Sequence, residues 1–267
     1  MSFTPILPMS GPAGWAILKR TMATQTATLN ATPEMARDVD YFRAKIGQIT
    51  TADQLVGDRR LLKVALGAFG LEADIANKAF IKKILTDDLT SNKALANRLA
   101  DKRYLQMAST FRFDRSVPAT QGPNFATAVL TAYQARTFES AVGEQDEDLH
   151  LALNAQRELA TLGDARSSET TKWLTILGNA PLSRVFQKAL GLPSGTSGLN
   201  LDQQLGLYQA KAFAIFGDSG ISQFADTTKT DMLLKRFLSR AQADQLMSQS
   251  ASGSVALTLM QQSRSSL

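Results

Sequence analysis

No cysteine occurs anywhere in the 267 residues, and histidine occurs once, as His150. The first absence removes disulfides, thiolate metal sites and cysteine nucleophiles. The second leaves a histidine-centred metal site without another imidazole. Aromatics are sparse at 7%. No stretch approaches the roughly 18 to 20 consecutive apolar residues needed to cross a bilayer. The opening MSFTPILPMSGPAGW has neither a basic leader nor an apolar run before a small-residue cleavage site, so Sec-type export is not expected. Glycine-rich phosphate loops are missing too. What the chain has is apolar content, 44%, enough to bury a substantial core as one large domain or two small ones.

The net charge is +5 and the isoelectric point near 9.5. Its distribution is uneven: +6 over residues 1–115, −5 over 116–170 and +4 over 171–267. Two basic lobes therefore flank an acidic middle. Nucleic-acid binding wants a concentrated cationic stripe with exposed aromatics or arginine clusters. Here the cations come as the doublets Arg59-Arg60, Lys82-Lys83 and Lys102-Arg103, spaced among acids, and read as solvated helix faces.

Helix signals are dense and strand signals few. Thr32-Pro33-Glu34 reads as an N-cap, a proline at the first helical position and an acid in the first turn. Thr51 with Gln54 fits a capping box, and Asp58 caps a segment whose Leu62, Leu66 and Phe69 fall at helical spacing before Gly70 ends it. Further short helices are expected to be capped near Ser91 and Asp101, with Leu95, Leu99, Leu105 and Met107 buried. Residues 114–123, DRSVPATQGP, break the pattern. Beyond them Phe138, Val142, Gln145, Leu149, Ala152, Gln156 and Leu159 step by threes and fours. That spacing predicts one long helix from about Asn124 to Leu162, with Gly143 as its weak point. A shorter seam joins Trp15, Leu18, Met22, Gln25 and Leu29.

The stretch DRRLLKVALGAFGLE (58–72) is echoed by APLSRVFQKALGLP (180–193) at an offset of 121. Tyr41-Phe-Arg-Ala-Lys-Ile46 resembles Asn154–Leu159 at 113, and Lys82 with Leu95-Ala-Asn97 finds Lys211 with Phe224-Ala-Asp226 at 129. The order is kept while the offset grows, as insertions at 163–170 and 193–198 would produce. An internal duplication of a helical unit is the expectation.

Candidate chemistry is thin. Gly217-Asp218-Ser219-Gly220 looks like the GDSG around the nucleophile of trypsin-like proteases, and His150 precedes it. Those enzymes present the serine on a β-barrel beside a base and an oxyanion hole, whereas helices flank it here. Gly, Asp and Ser equally serve turn geometry. His150 has no HxxxH partner. The acidic run Glu144, Asp146, Glu147, Asp148 lacks the spacing of a calcium loop. Trp15 and Trp173 read as packing anchors. Accordingly, no catalytic, cofactor-binding or metal residue is assigned, and the chain is not expected to be an enzyme.

The phrases AGWAILKRTMATQTATLNATPEMARDVDYFRAKIGQITTADQLVGDRRLLKVALGAFGLE, FIKKILTDDLTSNKALANRLADKRYLQMASTFRF and RTFESAVGEQDEDLHLAL closely resemble an uncharacterised family of α-proteobacterial proteins whose genes often lie among flagellar genes. The resemblance covers residues 13–160 and implies a flagellar connection without naming a catalytic residue or ligand.

These readings together predict an all-α protein, a multi-helical bundle of two related helical lobes joined by a long central helix. The expected divisions are a flexible N-terminal segment (1–13), a first helical repeat (14–122), the long helix with a second repeat (123–249) and a flexible, serine-rich C-terminal tail (250–267) carrying the apolar patch Val255, Ala256, Leu257, Leu259 and Met260. The expected function is that of a non-enzymatic flagellum-associated structural or assembly protein acting through protein contacts. The alternative is a cytoplasmic regulatory adaptor that touches nucleic acid through its basic lobes. Flagellar proteins are the expected partners and self-association is a second route; nucleic acid is less favoured and membrane insertion is not expected. The protein is expected in the cytoplasm, or exported by the flagellar apparatus without a cleaved signal.

Overall fold

The computed structural model describes residues 3–99 and 101–264, with side chains through 248. Among the described residues every regular element is helical, as the sequence predicts. The chain divides into two compact units, Met1–Ile6 with Thr21–Val142 and Leu7–Arg20 with Gly143–Leu267. The first helix, α1 (Gly11–Asn30), contributes residues to both.

The first unit continues with α2 (Pro33–Lys45), α3 (Ala52–Gly57), α4 (Arg59–Gly67), α5 (Lys78–Thr86), α6 (Leu95–Arg98), α7 (Arg103–Phe111) and nearly all of α8 (Phe125–Gly143). Its entry signals work as the sequence indicates. Thr32 accepts from the Met35 N–H, and Thr51 and Gln54 form a reciprocal capping box. Asp58 accepts from the Arg60 and Leu61 N–H groups at 3.0 and 3.1 Å and also takes the Tyr41 hydroxyl at 2.7 Å. Capped this way, α4 turns Leu61, Leu62, Val64, Ala65 and Leu66 into the core. Burying each large side chain contributes about 1.5–3 kcal/mol. Phe42, Ile81 and Phe111 complete the centre, with the Phe111 and Phe125 rings edge to face at 5.0 Å. Of the positions expected near α6 and α7, Met107 is fully buried while Leu95, Leu99 and Leu105 are half-buried.

An Asp58→Ala variant tests the cap. It is expected to lose about 1–2 kcal/mol, with Asp58→Asn retaining most of the stability. Urea midpoints for the two variants check this.

The second unit holds α9 (Glu147–Asp164), α10 (Glu169–Gly178), α11 (Ala180–Leu190), α12 (Leu201–Phe216) and α13 (Thr227–Arg264). Here α11 packs against α9, α10, α12 and α13. Trp15, Trp173, Phe186, Phe224 and Phe237 are fully buried.

One expectation is corrected, and local structure is added at both ends of the chain. The predicted long helix is two: α8 stops at Gly143, and Asp146 adopts an extended backbone and caps α9 by accepting from the Leu149 N–H at 2.8 Å. The His150 ring lies where a Cβ on Gly143 would meet it at 3.1 Å, so glycine suits the close approach. The break also moves the division, since α8 belongs with the first unit. Within the expected N-terminal segment the Ile6 N–H donates to the Gln25 side chain at 2.7 Å, Gln25 returns a bond to the Ile6 carbonyl at 3.2 Å, and Pro5 is buried. The backbone of the expected C-terminal tail is helical to Arg264. Residues 265–267, and the side chains of Val255, Ala256, Leu257, Leu259 and Met260, lie outside the described residues.

The echoed segments have the same local geometry. Asn179, like Asp58, caps its helix by accepting an N–H three residues on, from Leu182 at 3.2 Å. Gly70 and Gly191 close α4 and α11 with φ of 68° and 69°, a left-handed conformation that costs glycine little. Leu71 then bonds back to Leu66 at 3.0 Å and Leu192 to Gln187 at 2.9 Å. The third pairing does not share a face. Around Lys82, Ile81, Ile84 and Leu85 are buried, whereas at the same spacing around Lys211, Ala210, Phe213 and Ala214 are exposed. A shift of two residues turns a helix by about 200°, so that match reflects composition and not register.

Candidate functional site

In the first unit an open cleft of about 830 Å³ is lined by Glu34, Arg37 and Asp38 of α2, Arg59, Arg60 and Lys63 of α4, and Glu72 and Ile75 beyond it. Its centre is Asp38, buried to 6% exposure. Lys63 donates to Asp38 and to Glu34, both at 2.8 Å, and the Arg60 side chain lies 3.6 Å from the other Asp38 oxygen. Burial works against the charge on Lys63, but its bonds to Asp38 and Glu34 hold it well above the ordinary lysine range. The same bond from Lys63 keeps Glu34 below the usual carboxylate range. Tyr133 of α8 reaches Asp38 at 3.4 Å, and burial pushes its hydroxyl up to about 12. Arg60 also lies over the Tyr41 ring, 4.9 Å from its centroid. Arg37 and Arg59 are exposed and make no hydrogen bond or ion pair among the described residues.

In the second unit a buried lysine ties three segments together. The Lys172 ammonium, at 2% exposure for the residue, donates to the Gly163 carbonyl at 2.8 Å and to the Ser222 hydroxyl at 2.6 Å, with Glu169 at 3.6 Å. Glu169 in turn accepts from the Ile221 and Ser222 N–H groups and from the Ser222 hydroxyl. Gly163 is needed there: a Cβ would meet the Ala225 nitrogen at 2.6 Å and its Cα at 2.9 Å.

The sequence candidates scatter across this frame. Ser219 lies in the turn after α12, where its carbonyl accepts from the Trp173 indole at 2.8 Å. Its hydroxyl makes no hydrogen bond among the described residues. Asp218 accepts from the Gly220 N–H at 2.7 Å, an Asx turn. His150 sits on α9 beside Gly143. The acids diverge: Asp146 caps α9, Glu147 pairs with Arg184, and Asp148 accepts from Gln245 at 2.9 Å. Trp15 and Trp173 are buried, as packing anchors are. No group of three His, Asp or Glu residues placed to hold a metal occurs among the described residues.

The second unit also leaves an apolar helix face uncovered. Along α12, Tyr208, Ala212 and Phe216 point inward, while Leu207, Ala210, Phe213 and Ala214 lie exposed on the opposite face, Leu207 at 40% and Phe213 at 62%. Only Asp202 and Lys211 carry charge on this helix. A contiguous exposed apolar patch on a helix normally has cover.

A family model described as a protein of unknown function (DUF1217) matches residues 68–230, more than half of the chain. The chain belongs to this family. The DUF1217 match takes in α12 and the Lys172 cluster, whereas most of the cleft, from Glu34 to Lys63, precedes it. The structure is similar to the X-ray crystal structure of protein AGR_C_984 from Agrobacterium tumefaciens, with a TM-score of 0.71 and 26% identity, covering 89% of this chain and 97% of that one. No curated protein matches the chain.

Sequence reasoning missed the cleft, Lys172 and the α12 face. For α12 a signal was present: Leu201–Phe216 holds only two charges in sixteen residues, and its second half, from Leu205, has only Gln209 and Lys211 among apolar or small residues and Tyr208. The cleft had only the doublet Arg59-Arg60, and Lys172 had none, since lysine is ordinarily a surface residue.

Proposed function

We propose that this DUF1217 protein is a non-enzymatic structural or assembly protein of the flagellum that works through protein–protein contacts, with α12 as a contacting element. The observation that carries the reading is the apolar face of Leu207, Ala210, Phe213 and Ala214. An exposed phenylalanine and leucine among small residues suit a helix seated against a partner protein. The flagellar assignment draws on the sequence resemblance to α-proteobacterial proteins encoded among flagellar genes. It is compatible with a cytoplasmic protein or with one exported without a cleaved signal. The regulatory-adaptor reading has less support, because Lys82, Lys83 and Arg103, three of the doublet cations, are already paired with Asp53, Asp87 and Asp101. The matched caps and closing turns of α4 and α11 favour a duplicated origin for those two segments.

A deletion strain is expected to swim poorly and to assemble filaments abnormally, and the wild-type protein is expected to co-purify with hook-basal bodies. A Leu207→Glu/Phe213→Glu variant should fold normally, because both side chains are exposed, yet fail to complement the deletion. Normal swimming and normal filaments in the deletion strain would overturn the reading.

A further inference from the structure

We propose that the cleft between α2 and α4 binds an acidic peptide segment of a partner protein, with Arg37 and Arg59 as the residues that take its carboxylates. The charges inside the cleft are settled group by group. Lys63 is committed to Asp38 and Glu34 at 2.8 Å each. Arg60 is held between Asp38 and the face of Tyr41. Glu72 lies within the field of Arg103 and Arg136, which come from outside the cleft. Arg37 of α2 and Arg59 of α4 are left exposed, without an ion pair among the described residues, and Arg37 adds its field to Glu34.

A guanidinium is a planar fork that donates two parallel hydrogen bonds to a carboxylate, so an unpaired arginine presents ready donors to that group. The floor beneath is already ordered by the Asp38, Lys63, Glu34 and Tyr133 contacts, which lowers the ordering cost of binding. Ile75 supplies an apolar wall for the stem of a side chain or a neighbouring residue. The cleft is open, so a short extended segment covers it better than an isolated small acid does. Its own acids decide against nucleic acid: a strand places a phosphate every few ångströms, and Glu34, Asp38 and Glu72 would face several of them. Spaced carboxylates can be set against Arg37 and Arg59, with only Glu34, whose charge Arg37 already offsets, close by. The α12 face is a separate surface, so either assignment can fail alone.

Fluorescence anisotropy of the full chain with a labelled twelve-residue glycine–serine peptide carrying two spaced glutamates tests the assignment. The same peptide with glutamine at both positions, glutarate and a twelve-residue oligothymidylate serve as competitors. Expected is a salt-sensitive complex that glutamine peptide and glutarate do not displace. It should weaken about tenfold or more in Arg37→Glu/Arg59→Glu and in Arg37→Gln/Arg59→Gln. Arg20→Glu, an exposed arginine outside the cleft, should bind as the wild type does. Melting curves should be unchanged in all three variants. Three outcomes would each overturn the proposal: no binding of the peptide, equal loss in the Arg20 variant, or displacement by oligothymidylate or glutarate at the peptide's own concentration.

Discussion

Replacing Trp173 with alanine is expected to lower the stability of the second unit by about 3–5 kcal/mol, the usual loss for a fully buried indole. The ring has no exposure and meets Phe186 and Tyr208 edge to face at 5.5 and 6.0 Å. Phe186 meets Phe224 edge to face at 5.4 Å and Phe224 meets Phe216 the same way at 5.3 Å, so the cavity would open in an aromatic chain. The indole N–H also fixes the turn at Ser219. Trp173→Phe keeps the ring contacts and gives up that bond, and about 1 kcal/mol is the expected cost. Chemical denaturation followed by circular dichroism separates the cases. A midpoint in Trp173→Ala as high as in Trp173→Phe would show that the neighbouring rings close the gap.

Lys172→Met is the second large effect, about 2–3 kcal/mol. The thioether fills most of the volume but leaves the Gly163 carbonyl and the Ser222 hydroxyl without their donor. Removing one member of a buried pair costs more than this when both are buried, but Glu169 is 41% exposed and water tempers its loss. The pH dependence carries a sign. Burial raises the Glu169 carboxyl, but the hydrogen bonds from Ser222 and Ile221, with the charge of Lys172, bring it below its ordinary value of 4.5. A depressed acid contributes stability above its unfolded value that is lost as pH falls through the folded one. With Lys172 gone the folded value rises, so the acid-induced fall in melting temperature should begin at a higher pH in Lys172→Met. Superimposable pH profiles for the two proteins would mean that Glu169 is held by the Ser222 loop alone.

What the sequence reveals here depends on how far apart the interacting residues lie. Thr32, Thr51 and Asp58 act on N–H groups two or three positions away, and Gly70 acts on its own backbone, so a linear reading finds all four. The break between α8 and α9 hides because the seam keeps its spacing across it: Val142 and Leu149, seven residues apart, are both buried although the helix between them has ended. Composition marks the N-terminal segment as mobile, yet the contacts holding Ile6 come from Gln25, nineteen residues on. The cleft joins residues of α2 to residues of α4, with Lys63 and Asp38 twenty-five positions apart, and such a pairing leaves no period to detect.

The divided membership of α1 bears on how the chain comes off the ribosome. Leu7–Arg20 belongs to the second unit, in which Trp15 and Leu18 are buried and Lys19 pairs with Asp231 at 2.7 Å across 212 positions. At a synthesis rate of about 5–20 residues per second, these side chains wait roughly ten to forty seconds for their partners, while the first unit already has its own sequence in hand. During that interval a tryptophan and a leucine near the start of the nascent chain are without their native cover. The second unit cannot close until synthesis has passed Asp231, and nascent chains stalled before that point should expose an apolar N-terminal helix that a chaperone can hold.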